Sequence, residues 1–204
     1  MVAAALTGAT APAAGATTHS KRHARVHHRS PKRRVTHHAP AAPAPCVNAN
    51  IPATSASVDA MRAAVVCLVN QQRSKHGLPG LTASAQLNSS AQAWNNAMVA
   101  ANIFTHGTNF AGRIGATGYN WQYAGENIAT GYPTPSAVVT AWMASPDHCR
   151  NILDPHFRNV GTGESPAGIA SEQSGASTWT QDFGLLMSQS PLSGSTGPQN
   201  GCPY

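Results

Sequence analysis

The sequence predicts an α+β sandwich. Apolar residues recur at helical spacing through its first half and alternate at strand spacing near its end, and long connections separate the two regions. A first helix is expected from Ser57, a good capping residue, to Gly77, with Leu78-Pro79 closing it. Val58, Met61, Val65, Leu68 and Val69 share one face of that helix. A second helix follows Thr82, with Leu87, Ala91, Trp94 and Met98 on one face, which assigns Trp94 and Met98 to the core. NFAGRIGATGY reads as a short helix running into a Gly-rich loop. Thr134-Pro135, a cap followed by a first-turn proline, opens a helix that carries Val138, Val139, Trp142 and Met143. SPDHCRNIL follows as a short helical turn, where Ser145 can cap and Pro146 fits the first helical position. The strand-like pieces come last: RNVGTG, then STWTQDFGLL, in which Trp179, Gln181, Phe183 and Leu185 alternate with Thr180, Asp182 and Gly184. Beyond Leu192 the composition is that of a Ser/Gly/Pro/Asn loop.

Charge separates the chain into regions. Only 10% of its 204 residues are charged, yet seven of the 13 Lys and Arg fall between Lys21 and Arg34. From Asp59 onward six basic residues face seven acids, so the basicity belongs to a tail and the remainder is close to neutral. Residues 1–16 read as the remnant of a secretory signal. They have a short Ala/Val/Leu stretch and small-residue motifs at Ala11-Pro12-Ala13 and Ala14-Gly15-Ala16, while a basic start is missing. The true start then lies upstream of Met1, or the segment is an Ala-rich leader. Residues 17–45 read as a disordered linker with six of the ten histidines, ending in a Pro/Ala spacer. Such a tail suits an electrostatic tether to anionic envelope polymer, strengthened as its histidines protonate. The folded domain is expected over 46–204. No apolar run reaches the length of a membrane span, and a secreted chain of this kind is not expected to bind nucleic acid.

Four cysteines without a Cys-x-x-Cys pair disfavour a zinc ribbon or a thioredoxin-like motif and favour an oxidising compartment. Cys67 lies well off the apolar stripe of the first helix, which favours a bond to Cys46 in the preceding segment. Cys149 then pairs with Cys202; the alternative is free, buried thiols.

There is no nucleophile elbow, zinc-protease helix or phosphate-binding loop. Beyond the tail, four histidines remain. His76 suits a helix C-terminus and His156 sits in the loop DPHF, so both read as structural or solvent-exposed. His106 in FTH, Glu126 in AGENIA and His148 in SPDHCRNIL are the candidates for chemistry, weighed against the plainer reading that they hydrogen-bond neighbouring loops together. Asn127 and Asn151 read as loop-bracing hydrogen bonders.

Six ordered motifs carry a resemblance: CLVNQQRSKHGLPGL, FTH, AGENIA, WMASPDHCRNIL, FRNVGTG and WTQDFG. Over roughly Ser57 to Leu185 the chain resembles the CAP superfamily of cysteine-rich secretory, antigen 5 and pathogenesis-related proteins, in its bacterial SCP-like extracellular branch. The resemblance implies an α-β-α sandwich with a central antiparallel sheet, and a cleft with a tetrad of two histidines and two acids. His106, His148 and Glu126 match three of its members; the fourth position, three residues after Trp142, holds Ser145 here, with Asp147 nearby. Two imidazoles suit a weak site for Zn2+ or another divalent cation, with Glu126 as ligand or as partner of a histidine. A secreted monomer is expected, wall-associated through its basic tail, and the resemblance points to binding of a lipid, a cell-envelope polymer or a protein partner. The alternatives are a metal-dependent, protease-like hydrolase in the same cleft and a wall tether driven by the tail. Binding is favoured, because one acid is missing and no nucleophile is evident; Ser145 is explained by its capping position.

Overall fold

The computed structural model describes residues 44–172, 176–192 and 202. The expected signal remnant, nearly all of the expected basic linker and most of the loop after Leu192 lie outside them. Five helices and four strands follow in chain order: α1 (Val58–Lys75), β1 (Thr82–Ala83), α2 (Ala85–Ala101), α3 (Phe110–Ala116), β2 (Trp121–Thr130), α4 (Pro135–Met143), α5 (Pro146–Leu153), β3 (Asn159–Ser165) and β4 (Thr178–Leu186). The expected helices form where their caps stand. The Ser57, Ser84 and Thr134 side chains each accept a backbone N–H three residues on. Asp59 in the first turn of α1 and Arg73 with Lys75 in its last turn suit the helix dipole.

The strands form one sheet in the order β1-β3-β4-β2. β4 pairs antiparallel with both neighbours, from Trp121↔Leu186 to Thr130↔Thr178 on one side and from Asn159↔Gly184 to Ser165↔Thr178 on the other. The expected antiparallel sheet is therefore antiparallel at its centre, but the two-residue edge strand β1 runs parallel to β3. α2 and α3 cover one face; α1, α4 and α5 cover the other. The alternation in STWTQDFGLL accordingly does not separate core from solvent. Every residue from Thr178 to Leu185 is buried, Asp182 included, because β4 is central and both faces are packed. Gly161 and Gly163 let the α2 backbone press onto β3: a Cβ at either would collide with main-chain atoms at Leu87 or Ala91.

Three local expectations change. The AGENIA region is a ten-residue strand, β2. Gly125, Glu126 and Asn127 are poor strand formers, and pairing with β4 overrides them. The open edge of β2 is protected, since Asn151 donates to the Glu126 carbonyl (3.1 Å) and the Trp142 indole to the Ile128 carbonyl (3.4 Å). Ser145 occupies the cap position of α5 without a side-chain capping bond, so capping does not account for its hydroxyl. Trp94 is half-buried, one edge of a small cluster with Met98, Ile128 and Ile169, rather than part of the main core.

The main core gathers Met61, Val65, Val69, Trp142, Ile152, Phe157, Trp179 and Phe183. Cys46 is bonded to Cys67, and Cys149 to Cys202. Arg73, fully buried, is an unusual member of the interior. Its guanidinium donates to the carbonyls of Pro79 (2.8 Å), Ile152 (2.9 Å), Asp154 (2.8 Å) and Phe157 (3.5 Å).

Candidate functional site

His106 lies in the connection between α2 and α3. Asn102, in the left-handed conformation (φ 53°), ends α2 and turns the chain out of it. The Trp94 indole donates to the Thr105 carbonyl (3.0 Å), and the Gly107 N–H donates to the Thr105 hydroxyl (3.0 Å), which fixes the backbone on either side of His106. Glu126 comes from β2 and His148 from the first turns of α5. Asn127 and Asn151 fasten strand to helix: Asn151 donates to Asn127 Oδ1 (2.8 Å), and Asn127 to the His148 carbonyl (3.3 Å).

Both carboxylate oxygens of Glu126 are taken. Oε1 accepts from His106 Nδ1 at 2.8 Å, and Oε2 accepts from Arg113 at 2.7 Å. Through that contact the carboxylate orients the His106 ring, with Nδ1–H as the donor. Arg113, on α3, also donates to the His106 carbonyl (3.0 Å), and its guanidinium lies 3.8 Å over the Trp94 ring. His148 is driven down to a pKa of about 4, first by burial and then by the nearby His106, with Asp147 opposing; it is neutral at pH 7. Behind Glu126, directly across from it on β4, stands Asp182, fully buried and pushed well above the usual carboxylate range by burial and by Glu126.

His106, His148 and Ser145 line one cleft of about 690 Å³. Its apolar side is made by Phe104, Ile128, Ala129, Tyr132 and Trp142, and Glu172 stands in its lining as well. A cleft of that size takes a small organic molecule. The Ser145 hydroxyl makes no capping bond and stands in the lining with the two imidazoles. Asp147 pairs with Arg150 (2.8 Å) and His156 with Asp154 (2.8 Å), while His76 is the exposed C-cap of α1.

Among the described residues no three His, Cys, Asp or Glu side chains are grouped as a metal ion requires. What the cleft offers a divalent ion is two imidazole rings, one of them oriented by a carboxylate whose two oxygens already accept hydrogen bonds. That donor set fits a weak site completed by water.

Sequence reasoning missed Arg113, Glu172 and the burial of Asp182. Arg113 had a signal, as it is the only cation between Lys75 and Arg150. Arg113→Gln leaves Glu126 Oε2 and the His106 carbonyl without their donor. We expect a loss of about 3 kcal/mol in urea unfolding, since one partner of a buried pair is removed. A change within error would show that Arg113 does not hold the site.

A family model described as the cysteine-rich secretory protein family (CAP) matches residues 66–183. The uncharacterised protein YkwD of Bacillus subtilis is 39% identical over 131 residues, 62% of this chain and 48% of that protein. The chain thus spans about half the length of the curated relative it matches. An extracellular protein of Bacillus anthracis containing an SCP domain superposes with a TM-score of 0.53 at 26% identity, covering 63% of this chain and 44% of that one. An outer surface protein of Borrelia burgdorferi shares the fold (TM-score 0.51, 21% identity, 58% of this chain and 86% of that one).

Proposed function

Because the chain belongs to the cysteine-rich secretory protein (CAP) family, we propose that its cleft is a binding site for a ligand with an apolar body, drawn from lipids, cell-envelope components or a segment of a protein partner. The protein is a secreted, disulfide-bonded CAP domain. The observation that carries the binding reading is the cleft itself: a 690 Å³ space with an apolar side and two histidines, whose one carboxylate partner, Glu126, is consumed in holding His106. Such a site recognises and orients.

A divalent ion, if taken up, would be held by the imidazole nitrogens of His106 and His148, with Glu126 as the orienting partner of His106 rather than as a ligand. When bound, zinc would polarise a carbonyl or phosphoryl oxygen of the ligand. The His106–Glu126 pair favours a second reading, a metal-dependent hydrolase, over a third in which the basic tail alone acts. Calorimetric titration of zinc against the full chain and against its His106→Ala, His148→Ala double variant separates these. The tail's histidines contribute equally to both proteins. One micromolar-range site present in the first and lost in the second supports a cleft metal and warrants a turnover assay. Identical titrations sink the metal and the hydrolase with it, and leave the apolar cleft to be tested by ligand capture.

A further inference from the structure

We propose that the cleft selects a positively charged amphiphile, an organic ammonium on an apolar chain, and that Glu172 sets this sign. The inference rests on the cleft being a ligand site.

Glu172 ends the turn Ala170–Glu172 and stands exposed in the cleft lining. The Ser171 N–H donates to Asn102 Oδ1 (3.2 Å) and the Ser171 hydroxyl to the Asn102 carbonyl (3.0 Å), which ties the turn to the segment that carries His106. Ile169, just before the turn, is fully buried against Met98 and Ile128 beneath the cleft. The carboxylate itself has no ion pair among the described residues, unlike Asp59, Glu126, Asp147 and Asp154.

No cation answers it from the lining. Arg113 neutralises Glu126 and lies against Trp94. Arg62 is spent on Asp59 and Gln92, Arg73 and Arg158 on backbone carbonyls, and Arg150 on Asp147; none of these lines the cleft, nor does Lys75. The one fixed charge in the lining is therefore the Glu172 carboxylate, in a cleft that also holds two aromatic rings, Phe104 and Tyr132, whose π faces attract cations. Ile128, Ala129 and Trp142 supply the surface for an apolar chain. An anionic head would be repelled by that carboxylate. A divalent ion on the histidines brings positive charge to the same cleft, so it competes with the ammonium.

Calorimetry on the full chain with a chelator present, using three decyl probes below their micelle concentrations, tests this. The heads are trimethylammonium, maltoside and sulfate. The ammonium is expected to bind about tenfold more tightly than the maltoside, as an ion pair and a cation–π contact together supply. In Glu172→Gln that preference should vanish while maltoside affinity holds, and the comparison cancels any contribution from the basic tail. Equal affinity for the ammonium and maltoside heads, a preference for the sulfate that is the same in both proteins, or an ammonium preference that survives Glu172→Gln overturns the charge inference alone. Binding of none of the three overturns the apolar cleft, and the inference with it.

Discussion

Arg73→Met should cost the domain about 3–5 kcal/mol, seen in urea as a lower midpoint with an unchanged slope. The guanidinium is completely buried, and burial lowers its pKa to about 10, with Asp154 opposing. A charge is tolerated there only because carbonyls of Pro79, Ile152, Asp154 and Phe157 surround it. Removing it leaves those oxygens facing an apolar chain, each deprived of the donor that replaced water. The damage concentrates on the connection from α5 to β3, whose geometry these bonds define. Arg150→Met is the control. Its partner Asp147 is a solvent-exposed ion pair one turn away, and its loss should stay within about 0.5 kcal/mol. Equal losses in the two variants would refute the structural role assigned to Arg73.

Asp182→Asn should change how stability depends on pH. Asp182 is sealed inside the sheet with neither carboxyl oxygen hydrogen-bonded among the described residues. Burial first, and then Glu126 opposite, hold its pKa well above that of a free aspartate; Ser90 and Arg113 pull the other way. The folded chain therefore keeps a proton that the unfolded chain releases. The resulting stabilisation is complete below the unfolded pKa, near 4, and drains away as pH rises toward the folded value. Through that window the wild type should lose up to roughly a factor of ten in its folding equilibrium per pH unit relative to the variant. Glu164, which burial also raises, to about 7, adds a similar trend to both proteins and cancels in the difference. Urea unfolding of both proteins from pH 4 to pH 8 gives the difference curve. Parallel curves would mean that Asp182 is ionised in the fold.

The helices were legible because their signals are local: Ser57 and Thr134 cap, and the apolar periodicity of α1, α2 and α4 points to the sheet they cover, whereas the Ser84 cap of α2 appeared only in the structure. β2 was not legible. Its strand character comes from β4, more than fifty residues away, and nothing in Gly125-Glu126-Asn127 announces it. The same distance explains Asp182. In an alternating strand a charged residue suggests a solvent face, and only the placement of α2 over β4 shows that no solvent face exists. His106, Glu126 and His148 were found through ordered motifs, and the structure sets His106 on Glu126 and lines one cleft with both histidines. The partition of work among them needed coordinates: Glu126 serves His106 and Arg113, and the cleft lining adds a second carboxylate, Glu172.

The bond from Cys149 to Cys202 has a consequence for when the cleft becomes functional. Cys149 follows His148 on α5, so the helix that presents the cleft histidine is fastened to a residue 53 positions further along the chain. A link across a loop of that length is worth about 4 kcal/mol by restricting the unfolded chain. In a reducing compartment that link is absent. Stabilisation of the helix that carries His148 is thereby coupled to entry into an oxidising compartment, where the two sulfurs can join.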